Sequence, residues 1–381
     1  MRQVWRWTVE TTRRNWNAPP LVVALVGFII FTGCLIYAWS RMGWDISGFV
    51  FLGSETKWAN DPAFDAVTLR ATKPGYDGQA CFIIAQAPFA DHREQMDGTF
   101  RQTRLLYPLL CYLATLGQPK LLIWAMPIIN LLMMVVLTGG GAMYSRRNGQ
   151  SSWWGLLLPI TLNALVPATR NLTDLVSFVA VFFLLMGWQY RWKASWLWIF
   201  ATAAVLAREQ NAVVLVLLAI AALRERRWRV VLVMVVSGAA LVAWMCYLWL
   251  ILSASPMPPR GGNLAAPGVG ILHWINWQSH HDGMRIIRWI YAGFLSGLTG
   301  FLAWRFWKDR RLDVISATGW LGVLMILIAG PSITDDYWSY TRTLFLLPLT
   351  GWMLSVRSGS AFGLTVCLLS FAFIRGTLLT M

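Results

Sequence analysis

The sequence predicts an all-α polytopic membrane protein, and three observations support this prediction. Of the 381 residues, 57 % are hydrophobic and 13 % are charged, whereas a soluble domain carries about 25 % charged residues. Many apolar runs approach the roughly 20 residues that a membrane-spanning helix needs. The 24 tryptophans fit aromatic belts at the two membrane surfaces. Because lipid offers the backbone no hydrogen-bond partners, we expect these runs to be helices.

The apolar runs predict about 11 transmembrane helices. We place them near residues 20–39, 119–144, 152–168, 173–190, 195–207, 211–223, 229–253, 286–305, 312–329, 343–356 and 359–379. The chain then divides into a cytosolic N-terminus at 1–19, a transmembrane module at 20–253 that includes an outer loop at 40–104, a second outer loop at 254–285, and C-terminal transmembrane helices at 286–381. No small-residue cleavage site follows the first apolar run, so we expect a retained span rather than a signal peptide.

The distribution of charge predicts the orientation. With the N-terminus in the cytosol, the cytosolic segments hold 17 basic and four acidic residues, and the opposite side holds 14 basic and 13 acidic residues. This asymmetry follows the positive-inside rule, and the net charge of +15 then reflects a basic face toward anionic lipid. No nucleic-acid partner is expected, because the basic residues are scattered through short loops. We predict a multi-pass protein of the cytoplasmic membrane.

The outer loop at 40–104 is the longest polar interval, and we expect it to be functional and ordered. Its apolar pieces DISGFVFLG and QACFIIAQA favour amphipathic helices that lie on the membrane. The next segment, Leu105 to Gly117, spans only about 20 Å as a helix, so we expect it to be re-entrant or surface-lying.

Two aspartates in this loop are candidates for catalysis. Asp77 stands between two glycines in GYDGQACFIIAQAP, where it could cap a ten-residue helix, act on a substrate, or do both. Asp45 follows the first span, where it could equally be a solvated boundary residue.

Two short hairpins carry charges at their tips. The motif AREQN, with Arg208 and Glu209, interrupts residues 195–223, and ATRNLTD, with Arg170 and Asp174, interrupts residues 152–188. Hairpin arms of 12–13 residues are about 20 Å long, so the tips would lie below the outer lipid surface. Charges at that depth need a partner, a cavity or a ligand. They could form structural pairs, or their guanidinium groups could bind a phosphate.

Further arginines lie on the predicted outer side, whereas the histidines and cysteines show no recognisable spacing. Arg342 ends DDYWSYTR, and Arg101 and Arg104 close the large loop, so several arginines fall on the outer side. The set His273, His280, His281 and Asp282 matches no zinc spacing, and the five cysteines show no metal or disulfide pattern. We expect no cofactor and assign no metal site, while leaving a divalent metal open.

These parts fit one type of substrate. A sugar on a polyprenyl phosphate would place its tail in lipid, its phosphate on arginines, and its sugar against the loop. A carboxylate is the natural general base for an acceptor hydroxyl, and fixed positive charge stabilises a phosphate leaving group.

Four motifs of the sequence resemble those of a known family. GYDGQACFIIAQAPF followed by RQTRLLYPLL, with LVPATRNLTDLVSF and AVLAREQNAVVLVLLA, is similar to bacterial cell-surface glycosyltransferases of the glycosyltransferase C superfamily, which includes the GPI-anchor mannosyltransferases. The resemblance implies an inverting transfer from a polyprenyl-phosphate sugar to a glycan, glycolipid or protein on the periplasmic face. The first-loop base would be Asp77, or Asp45 with Asp77 orienting the sugar, because the adjacent acids common in the superfamily are absent here.

The expected roles of the remaining residues complete this hypothesis. Arg208, Arg170 and Arg342 would bind the donor phosphate. The residues expected to position the substrate or the loop are Tyr76, Gln79, Arg101, Arg104, Asp174 and Glu209. The alternative is a transporter or flippase of lipid-linked sugars, which would use the same arginines. Transporters often contain internal repeats, and none is evident here.

Overall fold

Helices make up the regular structure of this computed structural model. The structure describes residues 18–56, 58–70, 75–96, 99–250, 252, 263–276, 282–310, 312–334 and 337–379. Within those ranges no strand forms, apart from one isolated bridge between Leu264 and Ala329. Residues 1–17 of the first predicted segment, and residues 254–262 and 277–281 of the second outer loop, lie outside the described residues.

The α-helices are numbered here in chain order. They are α1 Pro20–Arg41, α2 Asp77–Gln86, α3 Leu106–Thr115, α4 Pro119–Arg147, α5 Trp154–Thr161, α6 Leu165–Thr169, α7 Asp174–Gln189, α8 Ala194–Ala207, α9 Ala212–Arg224, α10 Trp228–Leu250, α11 Val269–Asn276, α12 Asp282–Asp309, α13 Val314–Ile328, α14 Pro331–Thr334, α15 Tyr337–Thr343, α16 Leu346–Ser358, α17 Ala361–Leu368 and α18 Phe371–Leu379. Short 3₁₀ helices lie at Ile46–Val50, Pro62–Phe64, Arg93–Gln95, Thr99–Thr103 and Glu209–Asn211.

Four of the described helices are long and apolar enough to cross a membrane. They are α1, α4, α10 and the Ile286–Asp309 part of α12. Large apolar side chains on these helices stay exposed, for example Ile29 at 69 % and Leu232 at 63 %, as expected for surfaces that face lipid. A helical membrane protein is therefore supported by length and composition, and the full set of 11 spans stays a prediction.

Two predicted spans are broken, which corrects the sequence analysis. The run at 152–168 forms α5 and α6 rather than one helix. Pro159 and Pro167 each remove a backbone donor from it, and Asn163 adopts a left-handed conformation at φ +48°. The run at 359–379 is divided into α17 and α18, and the Ser370 hydroxyl donates to the Cys367 carbonyl at the break.

The centre of the molecule is formed by α7 and α16. Almost every residue of both helices is buried, and an all-apolar helix of this kind belongs in an interior. The other helices surround them: α4 packs against α1, α5 and α7, and α8 packs against α7 and α10. The polar N-terminal end of α7 therefore lies among neighbouring elements.

The predicted break at AREQN, with a short helix on each side, is confirmed. Helix α8 has 14 residues and α9 has 13, and the chain turns between them through an extended Arg208 and the short 3₁₀ helix Glu209–Asn211. Each arm is about 20 Å long. The depth of this tip in a membrane stays a prediction.

The outer loop is ordered in its described parts, as predicted, but α2 does not lie on a surface. All residues from Gly78 to Ala85 are buried, and α2 packs against α3 and α4. The loop side chains Trp58, Phe64 and Val67 share this core. The predicted membrane-lying helix is therefore wrong for α2: its apolar residues surround the whole helix instead of forming one stripe.

Helix α3 is buried on one face only, unlike α2. It buries Tyr107 and Cys111, whereas Leu113 on its other face is 62 % exposed. This one-sided burial is consistent with the predicted re-entrant or surface-lying helix.

Candidate functional site

Two glycines hold Asp77 in place. Gly75 has φ +83°, a left-handed conformation that favours glycine. A Cβ atom at Gly78 would lie 2.2 Å from the carbonyl oxygen of Arg170 and 2.7 Å from that of Val50. The start of α2 is therefore pressed directly against the backbone of the Arg170 tip, and only glycine allows this approach.

The Asp77 carboxylate contacts three arginines. Arg101 pairs with Oδ1, whereas Arg342 donates to Oδ2 at 2.8 Å and Arg104 donates to the same oxygen at 3.3 Å. The side chain is 14 % exposed. Burial, together with the charges of Arg104 and Arg342, lowers the pKa of Arg101 to about 9, so this guanidinium stays charged at neutral pH.

The predicted helix cap at Asp77 is wrong. The N-cap residue of α2 is Tyr76, and Asp77 is the first helical residue. Its negative charge still suits the positive end of the helix, but its oxygens accept from arginine side chains. The predicted ten-residue length of the helix is correct.

Arg342 links Asp77 to a deeply buried pair. Its Nη1 atom donates to Oδ2 of Asp174 at 3.2 Å, while Nη2 contacts Asp77. Asp174 is fully buried and also pairs with Arg208 through Oδ1. Buried charges persist when they are paired in this way. Burial lowers the pKa of Arg208 to about 10 against the opposing charge of Asp174.

Arg104 forms a second bridge, from Asp77 to Glu209. Its Nε atom lies 3.5 Å from Oε2 of Glu209, and the Thr103 hydroxyl lies 3.5 Å from the same oxygen. Burial opposes ionisation of Glu209, but the charges of Arg104 and Arg208 outweigh it, and the pKa of Glu209 falls below its usual range. We call the seven linked side chains the arginine–carboxylate cluster: Asp77, Arg101, Arg104, Asp174, Arg208, Glu209 and Arg342.

Arg170 lies beside this cluster, and its guanidinium stacks on two aromatic rings. Its guanidinium lies 3.7 Å from the ring centroid of Phe51 and 3.8 Å from that of Trp338, and the residue is 1 % exposed. Such cation–π stacking stabilises a desolvated guanidinium. These contacts suit a structural support, and the predicted phosphate-binding role of Arg170 stays untested.

The expected positioning residues Tyr76 and Gln79 join the loop to its neighbours. Tyr76 meets Trp338 edge to face at 5.3 Å, and the Arg342 guanidinium lies 4.9 Å from the Tyr76 ring centroid. Gln79 is buried, and its Oε1 accepts from the Gly53 backbone at 3.4 Å. Both residues therefore fix the loop around Asp77.

A small cavity, with room for about one water molecule, lies in front of the cluster. It is lined by Asp77, Ala80, Cys81, Ile84, Arg101, Arg104, Leu172, Thr173 and Arg342. Its lining includes the three guanidinium groups that contact Asp77. Burial raises the pKa of the Cys81 thiol to about 12, so this cysteine is no nucleophile at neutral pH.

The second candidate base, Asp45, makes other contacts. It is the N-cap of the 3₁₀ helix Ile46–Val50, where it accepts from the Ser47 backbone at 2.9 Å and from the Thr68 hydroxyl at 2.5 Å. Burial opposes ionisation of Asp45, but these hydrogen bonds together outweigh it and lower its pKa below the usual value. Its described contacts are those of a cap, and none joins it to the cluster.

The described residues give little support for a metal site. Among the described residues, no three His, Cys, Asp or Glu side chains come together in a metal-binding group. Of the histidine set, His280 and His281 lie outside the described residues, as does the side chain of Asp282.

Sequence reasoning overlooked Phe51 and Trp338. Trp338 stands four positions before Arg342 in DDYWSYTR, which is one helical turn, so the two side chains share a helix face. That spacing was the available signal. Phe51 had none, because its contact with Arg170 depends on the tertiary fold.

Comparisons of the chain with protein families, curated proteins and solved structures give no match.

Proposed function

We propose that this protein transfers a monosaccharide from a polyprenyl-phosphate donor to an acceptor hydroxyl on the periplasmic face of the cytoplasmic membrane. The proposal depends most on the convergence of Arg101, Arg104 and Arg342 on the Asp77 carboxylate. Guanidinium groups that surround one oxyanion suit a phosphate equally well, and the carboxylate among them can accept a proton. The resemblance of GYDGQ and RQTRLLYPLL to a glycosyltransferase family also supports it.

The proposed step balances as follows. The acceptor oxygen attacks C1 of the sugar from the face opposite the phosphate, and the bond from C1 to the phosphate oxygen breaks. Its electron pair goes to the phosphate, where Arg104 and Arg342 stabilise the charge. The hydroxyl proton goes to Asp77. The product is an inverted glycoside of a glycan, glycolipid or protein, with free polyprenyl phosphate.

Asp77 is favoured over Asp45 as the base because of its surroundings. Asp77 lines the cavity with the arginines, so a sugar whose phosphate contacts them would lie near its carboxylate. Asp45 is not part of the lining of this cavity, and its described contacts lie within its own loop. The buried Asp174 is proposed to position Arg342 and Arg208 rather than to contact the sugar.

The experiment uses the full chain in nanodiscs with radiolabelled polyprenyl-phosphate hexoses and candidate acceptors. Wild type should release free polyprenyl phosphate, and Asp77→Asn should lose activity by about 100-fold or more, the contribution of a general base. Asp65→Asn, an exposed loop aspartate, is the matched control and should retain activity. Binding without cleavage by the wild type would favour the transporter alternative. An active Asp77→Asn protein would contradict the role of this base.

A further inference from the structure

The Asp77 carboxylate occupies the place that an anionic ligand would take. Both of its oxygens are engaged, Oδ1 by Arg101 and Oδ2 by Arg104 and Arg342. The cavity in front of it is lined by the same three guanidinium groups. The cavity has room for about one water molecule, so a phosphate could reach these donors only by taking the place of the Asp77 carboxylate.

Two of these arginines have a second carboxylate partner that does not depend on Asp77. Arg342 is held by the buried Asp174 at 3.2 Å, and Arg104 approaches Glu209 at 3.5 Å. If the Asp77 side chain rotates away, Arg342 keeps its hydrogen bond to Asp174 and Arg104 keeps its ion-pair contact with Glu209. The cluster thus consists of a fixed receptor and one carboxylate that can leave it.

The mobile partner is the Asp77 side chain and not its backbone. The start of α2 is fixed, because the backbone at Gly78 is pressed against Arg170 and Val50. A short side chain on a fixed backbone can move between staggered rotamers, and a bound phosphate would replace the arginine contacts that the carboxylate gives up. Asp77 can therefore release the arginines and remain beside the cavity.

We propose that Asp77 is an internal ligand of this anion site, and that a phosphate group displaces it from Arg104 and Arg342. This inference deepens the proposed function and rests on it in one respect: displacement would free the carboxylate lone pairs to accept the acceptor proton. The base would then become available only when donor phosphate is bound. In the ligand-free state the guanidinium donors hold those lone pairs.

The test measures phosphate binding without sugar transfer. The full chain in nanodiscs is titrated with a polyprenyl phosphate that carries no sugar, and separately with inorganic phosphate at constant ionic strength. Binding is read from radiolabelled ligand and from the ligand-induced rise in melting temperature. Asp77→Asn should bind phosphate at least about tenfold more tightly than wild type, because the competing closed state is lost.

The matched control is Asp65→Asn, which removes the same charge from the same loop and should leave the affinity unchanged. If Asp77→Asn fails to fold, Asp77→Ser provides the same comparison with a smaller side chain. A response to polyprenyl phosphate alone identifies a lipid headgroup as the ligand, and a response to both ligands shows that the phosphate itself suffices. Equal or weaker phosphate binding by the folded variants would overturn the inference.

The outcomes separate this inference from the proposed function. Tighter phosphate binding by Asp77→Asn, with no sugar transfer by wild type, would preserve the anion site and reject the transferase. Transfer by wild type, with no gain of phosphate affinity in the variants, would preserve the transferase and reject the internal ligand.

Discussion

Replacing Gly78 by alanine tests how Asp77 is held. The added Cβ would lie 2.2 Å from the carbonyl oxygen of Arg170 and 2.7 Å from that of Val50. Real Cβ atoms essentially never come within 3.0 Å of such neighbours, so α2 and the Arg170 tip must separate by at least 0.8 Å. Both neighbours are backbone atoms, which cannot rotate aside as a side chain can.

The expected effect is a loss of stability. Overpacking typically costs about 1–3 kcal/mol, and the better helix propensity of alanine returns at most about 1 kcal/mol. We therefore expect a net loss of up to about 2 kcal/mol, which lowers the melting temperature by a few degrees in a chain of this size. The same displacement would lengthen the 2.8 Å contact between Asp77 and Arg342, so phosphate affinity should rise, because Asp77 would compete less strongly for that guanidinium.

The assay is thermal unfolding in nanodiscs of one lipid composition, with Gly33→Ala as the control. Gly33 lies in α1, and its added Cβ would meet nothing within 4 Å, so this variant should be as stable as wild type or slightly more stable. A Gly78→Ala protein as stable as Gly33→Ala, with unchanged phosphate affinity, would refute the argument that only glycine fits there.

Two further predictions concern Arg342 and Glu209, two members of the arginine–carboxylate cluster. Arg342→Lys should lower donor affinity or transfer by about tenfold or more, because a single ammonium group cannot span Asp77 and Asp174 as the guanidinium fork does. The control is Arg191→Lys, a change at an exposed arginine. Equal activity of the two variants would contradict the bridge. Glu209 has a lowered pKa, so its pairing contributes stability above its ordinary value of 4.5 and loses it as the pH falls below that value. Melting temperatures at pH 5 and pH 3.5 should therefore differ less in Glu209→Gln than in wild type, although the carboxylate is 36 % exposed and water weakens the effect. An identical acid response would show that Glu209 is not paired in solution.

The sequence predicts the turn at AREQN well because its signal is local. AREQN places charges between two apolar arms that are each too short to cross a membrane, and a turn at Arg208 is the simplest solution. Arg342 was grouped with the charged hairpin tips only because all of them are predicted to lie on the outer side of the membrane. What this reasoning could not give is the pairing: Arg342 contacts Asp77 and Asp174 across the fold.

The failed expectations have a common physical cause. An apolar run looks the same whether lipid or protein covers it, so QACFIIAQ could not reveal that α2 is buried on all sides. Proline is tolerated within membrane helices, so the break between α5 and α6 was not evident from Pro159 and Pro167. The stacking of Arg170 on Phe51 and Trp338 requires three distant segments, and no local pattern encodes it.

The chain positions of the cluster have a consequence for biosynthesis. Arg208 and Asp174 are separated by 34 residues and can pair once their two hairpins exist, whereas Arg342 is 168 residues from Asp174 and 265 from Asp77. During synthesis Asp77 and Asp174 therefore leave the ribosome long before the arginine that joins them. The completed cluster is a late event of assembly, and a nascent chain halted before Arg342 would keep its two aspartates unconnected.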